Sequence, residues 1–228
     1  MLIATRSIPL SQDTRTAWSS ANVKLVKRDF DIPELQAYIQ KHNVEALINL
    51  GNLDYDYTNL NIPVFNTPAS IRFVSHPAAL RRNMNAFIPP LNVNGPHWHK
   101  NGGFGGKGKA FHAEECDSVL GGVVQQHIDG EEFRVITVGG LIVQAHRKEV
   151  LVGVGNFVWH WAGVDGVKKN GIIPHVKAAV EFIPNFERTV LGWDIIVGDK
   201  PYTIEINTSP GVNELTAARI VRAIRDSI

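Results

Sequence analysis

The stretch GWDIIVGDKPYTIEINTSPG, residues 192 to 211, constrains this chain more than any other. It reads as two strands folded back at Asp-Lys-Pro and then stopped by Thr208, Ser209, Pro210 and Gly211. Side chains alternate along a strand, so Glu205 and Asn207 share one face while Ile204 and Ile206 share the other. A turn centred on Asp199 and Lys200 sets Asp194 opposite Glu205, with Ile196 and Thr203 expected on that same face. Like charges opposed across a ladder repel each other. Two carboxylates and an amide at one end of a sheet therefore call for a cation. Hard oxygen donors suit Mg²⁺, which keeps part of its shell for phosphate and water. A solvated strand face is the plain alternative.

Composition limits what else the chain can be. With 228 residues, 44% of them hydrophobic, it can bury a core in one domain or two small ones. A formal net charge of +1 provides no field to draw in nucleic acid or an acidic membrane, so neither is expected as a partner. Cys116 is the one cysteine, which rules out an internal disulfide and fits a reducing cytosol. It has no CxxC partner and is expected to be buried and inert. No apolar run approaches the roughly 20 residues of a membrane span. MLIATRSIPL is too short and too weakly charged for a signal peptide. A soluble cytoplasmic protein is expected, with homo-oligomerisation left open.

The pattern along the chain predicts an α+β fold. Residues 1–66 alternate strand and helix (MLIAT, NVKLVKR, IPELQAYIQKHN, EALINLG, IPVFN), which predicts a small parallel αβ unit. HPAALRRNMNAF reads as a helix, EECDSVLGG as another, and VVQQHID as a strand. EEFRVITV and LIVQAHRKEV flank Gly139-Gly140 and form a hairpin. PHVKAAVEFIPNF and NELTAARIVRAIRDSI read as helices, the second amphipathic. Three units follow: 1–66, 67–124 with the glycine-rich run, and 125–228 with the acidic hairpin.

Two further clusters bear chemistry. A two-residue turn at Gly139-Gly140 sets Glu132 opposite Arg147 and Arg134 opposite Ala145. Glu132, Arg134 and Arg147 then share a face whose other end is apolar: Ile136, Val138, Leu141 and Val143. An ion pair accounts for only one of the two arginines. The other is suited to phosphate or a developing oxyanion. The run HKNGGFGGKGKAFH combines flexible glycines with Lys100, Lys107 and Lys109, a composition that can wrap polyphosphate. It is no Walker loop, since Gly108 follows Lys107. It matches GxGxxG from Gly103 to Gly108, but without a recognisable strand before it or a helix directly after it.

Taken in order, KNGGFGGKGK, VVQQHIDGEEFRV, VQAHRK and GWDIIVGDKPYTIEINTSPG resemble the ATP-grasp carboxylate–amine ligases. The resemblance spans residues 66–228. It is closest to the branch of the glutamate ligase that modifies a ribosomal protein, including compact relatives from phage genomes. It implies an ATP-grasp fold, with the αβ unit in front and a shortened lid. It also implies ATP as substrate and two Mg²⁺ ions, with Mn²⁺ an alternative, held by Asp194, Glu205 and Asn207. Lys100 would reach the α-phosphate, and the loop with Gly105, Gly106, Lys107, Gly108 and Lys109 would close over the others. Gln125, Gln126, His127 and Ile128 would form the adenine-binding linker, and Glu132 would take the ribose. Arg134 and Arg147 would be catalytic, facing the transferred phosphoryl group and the acyl intermediate. The implied reaction joins a carboxylate to an amine (amino acid, peptide or protein) through an acyl phosphate, releasing ADP and phosphate.

The chain also departs from that family. Ser75-His76-Pro77 stands where relatives carry an Asp-Lys pair, and only about ten residues separate Pro90 from Lys100. The upstream phosphate-binding lysine has no clear counterpart; Arg81 or Arg82 could take its place. Gly192 replaces the arginine of the dipeptide-ligase branch, which argues against D-alanine-type synthesis. A kinase on the same scaffold and a non-catalytic nucleotide-binding module remain the rival classes. His97, His99 and His112 are poorly spaced for a closed zinc site. Trp159, His160 and Trp161 are either core or walls of an acceptor pocket.

Overall fold

The computed structural model describes residues 1–6, 10–26, 31–54, 56–91, 96–100, 109–112, 123–150 and 157–228. Its first part is β1 (Leu2–Arg6), α1 (Gln12–Ser20), β2 (Val23–Leu25), α2 (Ile32–His42), β3 (Ala46–Leu50) and β4 (Val64–Phe65). The strands lie in the order β2-β1-β3-β4, all parallel, as the alternating pattern predicts. Helix α2 starts where the sequence says: Asp31 and Glu34 form a capping box, and Asn43 ends the helix in the left-handed region. Helix α1 is unexpected. Only Thr14, Ala17 and Trp18 are buried on it, too few to mark a period within so polar a segment.

Helices α3 (Pro68–Ser75) and α4 (Pro77–Met84) each carry a proline in the first turn, and His76 caps α4 by accepting the Ala78 N–H at 3.3 Å. A three-stranded antiparallel sheet follows, built from β5 (His97–Lys100), β6 (Lys109–His112) and β7 (Val123–Gln126) in the order β6-β5-β7. A strand therefore does precede the glycine run, contrary to the sequence reading, and another strand follows it. The helix expected at residues 114–122 lies outside the described residues. The expected boundary at 124/125 falls inside β7, which is bonded to β5.

The third sheet orders β10 (Phe157–Trp161), β9 (Leu141–Val150), β8 (Glu131–Val138), β11 (Val190–Val197) and β12 (Pro201–Asn207), all antiparallel. Gly139 and Gly140 both take positive φ in the β8–β9 turn, as a tight hairpin requires. One face buries Phe133, Val135, Leu191, Trp193 and Ile195 against Val167 of α5 (Gly163–Lys169) and Ile172, Val176 and Ala179 of α6 (Ile172–Val180). Helix α6 stops at Val180, short of the helix expected through Phe186; a 3-10 turn at Phe186–Arg188 follows.

The other face gathers Ile136, Val138 and Val190 with Ile220, Val221 and Ile224 of α7 (Glu214–Ser227) and Leu2, Ile48 and Phe65 of the N-terminal sheet. Asn66 locks this junction from the left-handed region, at φ 62°. Its amide nitrogen donates to the carbonyls of Asn49, Val190 and Thr208 at 3.0–3.1 Å, and its oxygen accepts the Val190 N–H at 2.8 Å. No helix among the described residues is long and apolar enough to cross a membrane.

Candidate active site

The face beneath α7 is apolar at Val138 and Ile136. It turns polar two residues further along β8, at Arg134 and Glu132, beyond the cover of the helix. Asp194 of β11 stands between Arg134 of β8 and Glu205 of β12, its direct partners on either side. Gly192 pairs with Asn207 one step on. The two opposed carboxylates expected from the sequence are therefore side by side.

The pairing holds because two irregularities cancel. Val197 pairs with Pro201 across a three-residue turn, and Ile204 is then bulged out between Thr203 and Glu205, which restores the register. Thr203 consequently leaves the Asp194 face. It pairs with Ile195 and bonds His175 of α6 at 2.9 Å. The bulged Ile204 turns its carbonyl to the ammonium of Lys100, which donates to it; Lys100 as a whole is 8% exposed. That bond ties the three-stranded sheet to the neighbour of Glu205.

The other hairpin corrects the sequence reading. Thr137 pairs with Ile142 as a two-residue turn dictates, but Ile136 pairs with Gln144, so Val143 is a bulge. Beyond it every partner moves by one. Arg134 lies opposite His146 rather than Ala145, and Arg147 lies opposite Phe133 rather than Glu132. Glu132 takes Lys148 instead, at 2.6 Å. Arg147 is on the far side of the sheet, paired to the exposed Glu131 at 2.9 Å. Lys148 is thus the second cation of the site face. Its nearest sequence signal was its place beside Arg147, which a one-residue slip exchanges for it.

Arg134 holds both oxygens of Asp194, Nε to Oδ1 at 2.7 Å and Nη2 to Oδ2 at 2.8 Å. Burial acts to lower the guanidinium pKa, but the Asp194 hydrogen bond and the charges of Asp194, Glu132 and Glu205 outweigh it and leave the pKa raised. The fork also lies 4.7 Å from the Trp159 ring centre, and Lys148 lies 6.0 Å from the same ring. Trp159 thereby joins the site face; Trp161 lies beside His146, and His160 points to Glu149 on the outer side. His146 is held below its ordinary pKa by burial, then by Arg134 and Arg219.

The remaining expected residues divide. Gly105, Gly106, Lys107 and Gly108 lie outside the described residues. Lys109 pairs with Lys100 through the β5–β6 ladder. Gln125 is buried opposite Trp98. The Gln126 and His127 N–H groups are engaged within the protein, donating to Pro90 O at 2.8 Å and Pro96 O at 2.9 Å. His127 also accepts from Trp98 Nε1 at 3.0 Å, and Ile128 packs against Gly198 in the β11–β12 turn. The segment expected as adenine linker thus joins the two antiparallel sheets.

Among the described residues no three His, Cys, Asp or Glu side chains group as a metal site. The metal set expected here is two carboxylates and an amide, and its fit rests on the opposed pair. Asp194 is 6% exposed, faces Glu205, and already requires a cation, supplied by Arg134. Hard oxygens on an open sheet face fit Mg²⁺. An open groove of about 810 Å³ on the N-terminal unit, lined by Arg15, Lys24 and Arg225 among others, shares no residue with this face. The chemistry points to the Asp194 face, which concentrates opposed carboxylates and guanidinium.

No family model matches the chain, and no curated protein matches its sequence. Solved structures do match its fold. A D-alanine–D-alanine ligase from Bacillus anthracis complexed with ATP superposes with a TM-score of 0.67 at 13% identity, over 100% of this chain and 97% of that one. A RimK domain ATP-grasp protein from Sphaerobacter thermophilus gives 0.60 at 14% identity, over 99% and 100%. The ATP-grasp ligase PsnB, complexed with minimal precursor, Mg and ADP, gives 0.64 at 11%, over 99% and 96%. An αβ unit, a small antiparallel sheet and a larger one with an acidic face define the class. The chain has the ATP-grasp fold.

Proposed function

We propose that this chain is an ATP-dependent carboxylate–amine ligase working through an acyl phosphate. One observation carries the reading: Asp194, Glu205 and Arg134 converge on a single sheet face, directly beside the lid-sheet lysine Lys100. An enzyme of this kind must gather polyphosphate and a carboxylate in one place, and both are anions. Arg134, Lys148 and Lys100 supply cations around a pair of carboxylates that would otherwise repel these substrates. Asp194, Glu205 and Asn207 are the residues that would hold Mg²⁺, with one ion or two. Bound there, the metal supplies charge neutralisation on phosphate oxygens.

The steps follow from the side chains. A substrate carboxylate oxygen attacks the γ-phosphorus of ATP, the bond to the β–γ bridging oxygen breaks, and ADP leaves. Arg134, whose Nε and Nη2 stay on Asp194, stabilises charge on the transferred group through its remaining Nη1. The amine then attacks the acyl carbon, a tetrahedral oxyanion forms, the nitrogen loses its extra proton to water, and phosphate departs with its bonding pair as the carbonyl re-forms. Trp159 and the lid sheet exclude water that would hydrolyse the intermediate. Three units serve this: residues 1–66, the lid unit from 67 through β7, and the remainder. A D-alanine–D-alanine ligase and the ligase PsnB, solved with its minimal precursor, share the fold and motivate a search among amino acids and peptides.

The test is a panel of amino acids and short peptides, singly and in pairs, with Mg·ATP, followed by ADP release. ADP release that needs both an acid and an amine supports the ligase. Release with one compound, leaving it stably phosphorylated, assigns a kinase. Nucleotide binding without release across the panel assigns a regulatory module.

A further inference from the structure

The polar face continues from Arg134 across β9 to α7. From that helix Arg219 lays its guanidinium 4.4 Å from the Trp161 ring centre and donates to the Gln144 amide oxygen. The Gln144 amide nitrogen meets His146 Nε2 at 2.8 Å, and Trp161 stands edge-on to His146 with ring centres 6.1 Å apart. Strand β10 is the sheet edge and Trp161 is 52% exposed, so this group is open on one side.

The charges here do not balance. Asp194 neutralises Arg134 and Glu132 neutralises Lys148, whereas Arg219 makes no ion pair among the described residues. Its hydrogen bond goes to a neutral amide and its face to an indole. Burial, then the charges of Arg134 and Arg219, hold the neighbouring imidazole's pKa below its ordinary value. A guanidinium backed by an aromatic ring, with an imidazole beside it, recognises a planar carboxylate through the free edge of its fork. Gln144 and His146 lie on β9, two strands from Asp194, which places the group roughly 10 Å from that carboxylate.

Building on the ligase reading, we propose that Arg219, His146 and Trp161 form a carboxylate-binding subsite. Its ligand is the carboxylate of the amine substrate, an amino acid or peptide. The amine end of that substrate then points across β9 toward Arg134 and the acyl centre. Arg219 acts on specificity and takes no part in phosphoryl transfer.

The subsite can be tested without turnover, because Trp161 reports on it. N-acetylglycine and N-acetylglycinamide differ only in the carboxylate. Each is titrated into the full chain at constant chloride, with tryptophan fluorescence as the signal. The acid should change the emission and the amide should not; the change should vanish in Trp161→Phe. In Arg219→Gln the acid should bind about tenfold more weakly or worse, and Arg219→Lys, which keeps the charge without the fork, should fall between. Circular dichroism melts establish that each variant is folded. Equal responses to acid and amide, or unchanged binding in both Arg219 variants, overturn the subsite. A second arm uses ADP release: Arg219→Gln should raise KM for the amine substrate and leave KM for the acid substrate unchanged. If ADP release never occurs, the ligase reading fails while the fluorescence titration still decides the subsite. If turnover occurs and the KM shift falls on the acid instead, the assignment to the amine substrate is wrong.

Discussion

Arg134 grips both oxygens of Asp194, so a divalent ion arriving there meets a carboxylate already neutralised. Replacing it exposes the opposed pair. Arg134→Met should lower the melting temperature without metal, since breaking a partly buried pair costs at most about 3–5 kcal/mol. Millimolar Mg²⁺ should restore more stability to this variant than to the wild type, as a thermal melt with and without metal would reveal. Glu205→Gln is the cleaner probe of catalysis, because Arg134 keeps its partner. It should stay folded and lose at least about a hundredfold in kcat, the scale of a lost charge-stabilising group. Near wild-type turnover there would mean the metal has been misplaced. Arg147→Ala should change kcat by less than about threefold, since Arg147 pairs with exposed Glu131 on the far face and surface pairs contribute little. At this scale the sequence was legible where register survived. Asp194 met Glu205 because a three-residue turn and the Ile204 bulge offset each other, an outcome no side-chain pattern encodes. Arg147 was misplaced because the Val143 bulge leaves no mark in an apolar run.

Elements announce themselves when their ends are capped or their period is strong. Helices α2 and α7 were readable on both counts, whereas α1 shows too little apolar surface and β5 carries two histidines and a lysine among four residues. Gly192 has a reason visible only after folding: a Cβ there would lie 2.7 Å from the Pro210 Cβ. Any larger side chain at 192 pushes against the loop that ends β12, next to Asn207. Contact between α6 and β12 gives a pH signature. Burial first, and the Lys200 charge second, hold His175 down to about 4, well below the 6.5 of a free imidazole. The unfolded chain therefore binds this proton more readily. Stability from neutral His175 is complete above pH 6.5 and is lost as pH falls toward 4, by at most about 3 kcal/mol. Urea denaturation of wild type and His175→Gln at pH 7.5 and pH 5 should show a smaller pH difference in the variant.

Across the whole molecule, one core runs from the N-terminal sheet through α7 to the large sheet, so the αβ unit and the large antiparallel sheet are joined by packing. Asn66 adds a polar lock at that seam. Asn66→Ala leaves a buried Val190 N–H without its partner and takes one donor from each of three carbonyls, which should cost at least about 1–3 kcal/mol. A guanidinium melt should show the loss, with no change in which substrates are accepted. The three-part layout was legible as alternating strand and helix followed by hairpins. Its assembly was not, because residues distant in sequence such as Asn66, Val190 and Thr208 meet only in the fold. If a carboxylate oxygen attacks the γ-phosphorus of ATP on the Asp194 face, that oxygen leaves with the phosphoryl group. Amino acids and short peptides carrying ¹⁸O in their carboxylates, incubated with Mg·ATP and the full chain, test this through the phosphorus NMR spectrum. ADP and inorganic phosphate bearing one ¹⁸O taken from the acid are expected. AMP carrying the label, or phosphate without it, would contradict an acyl phosphate on this face.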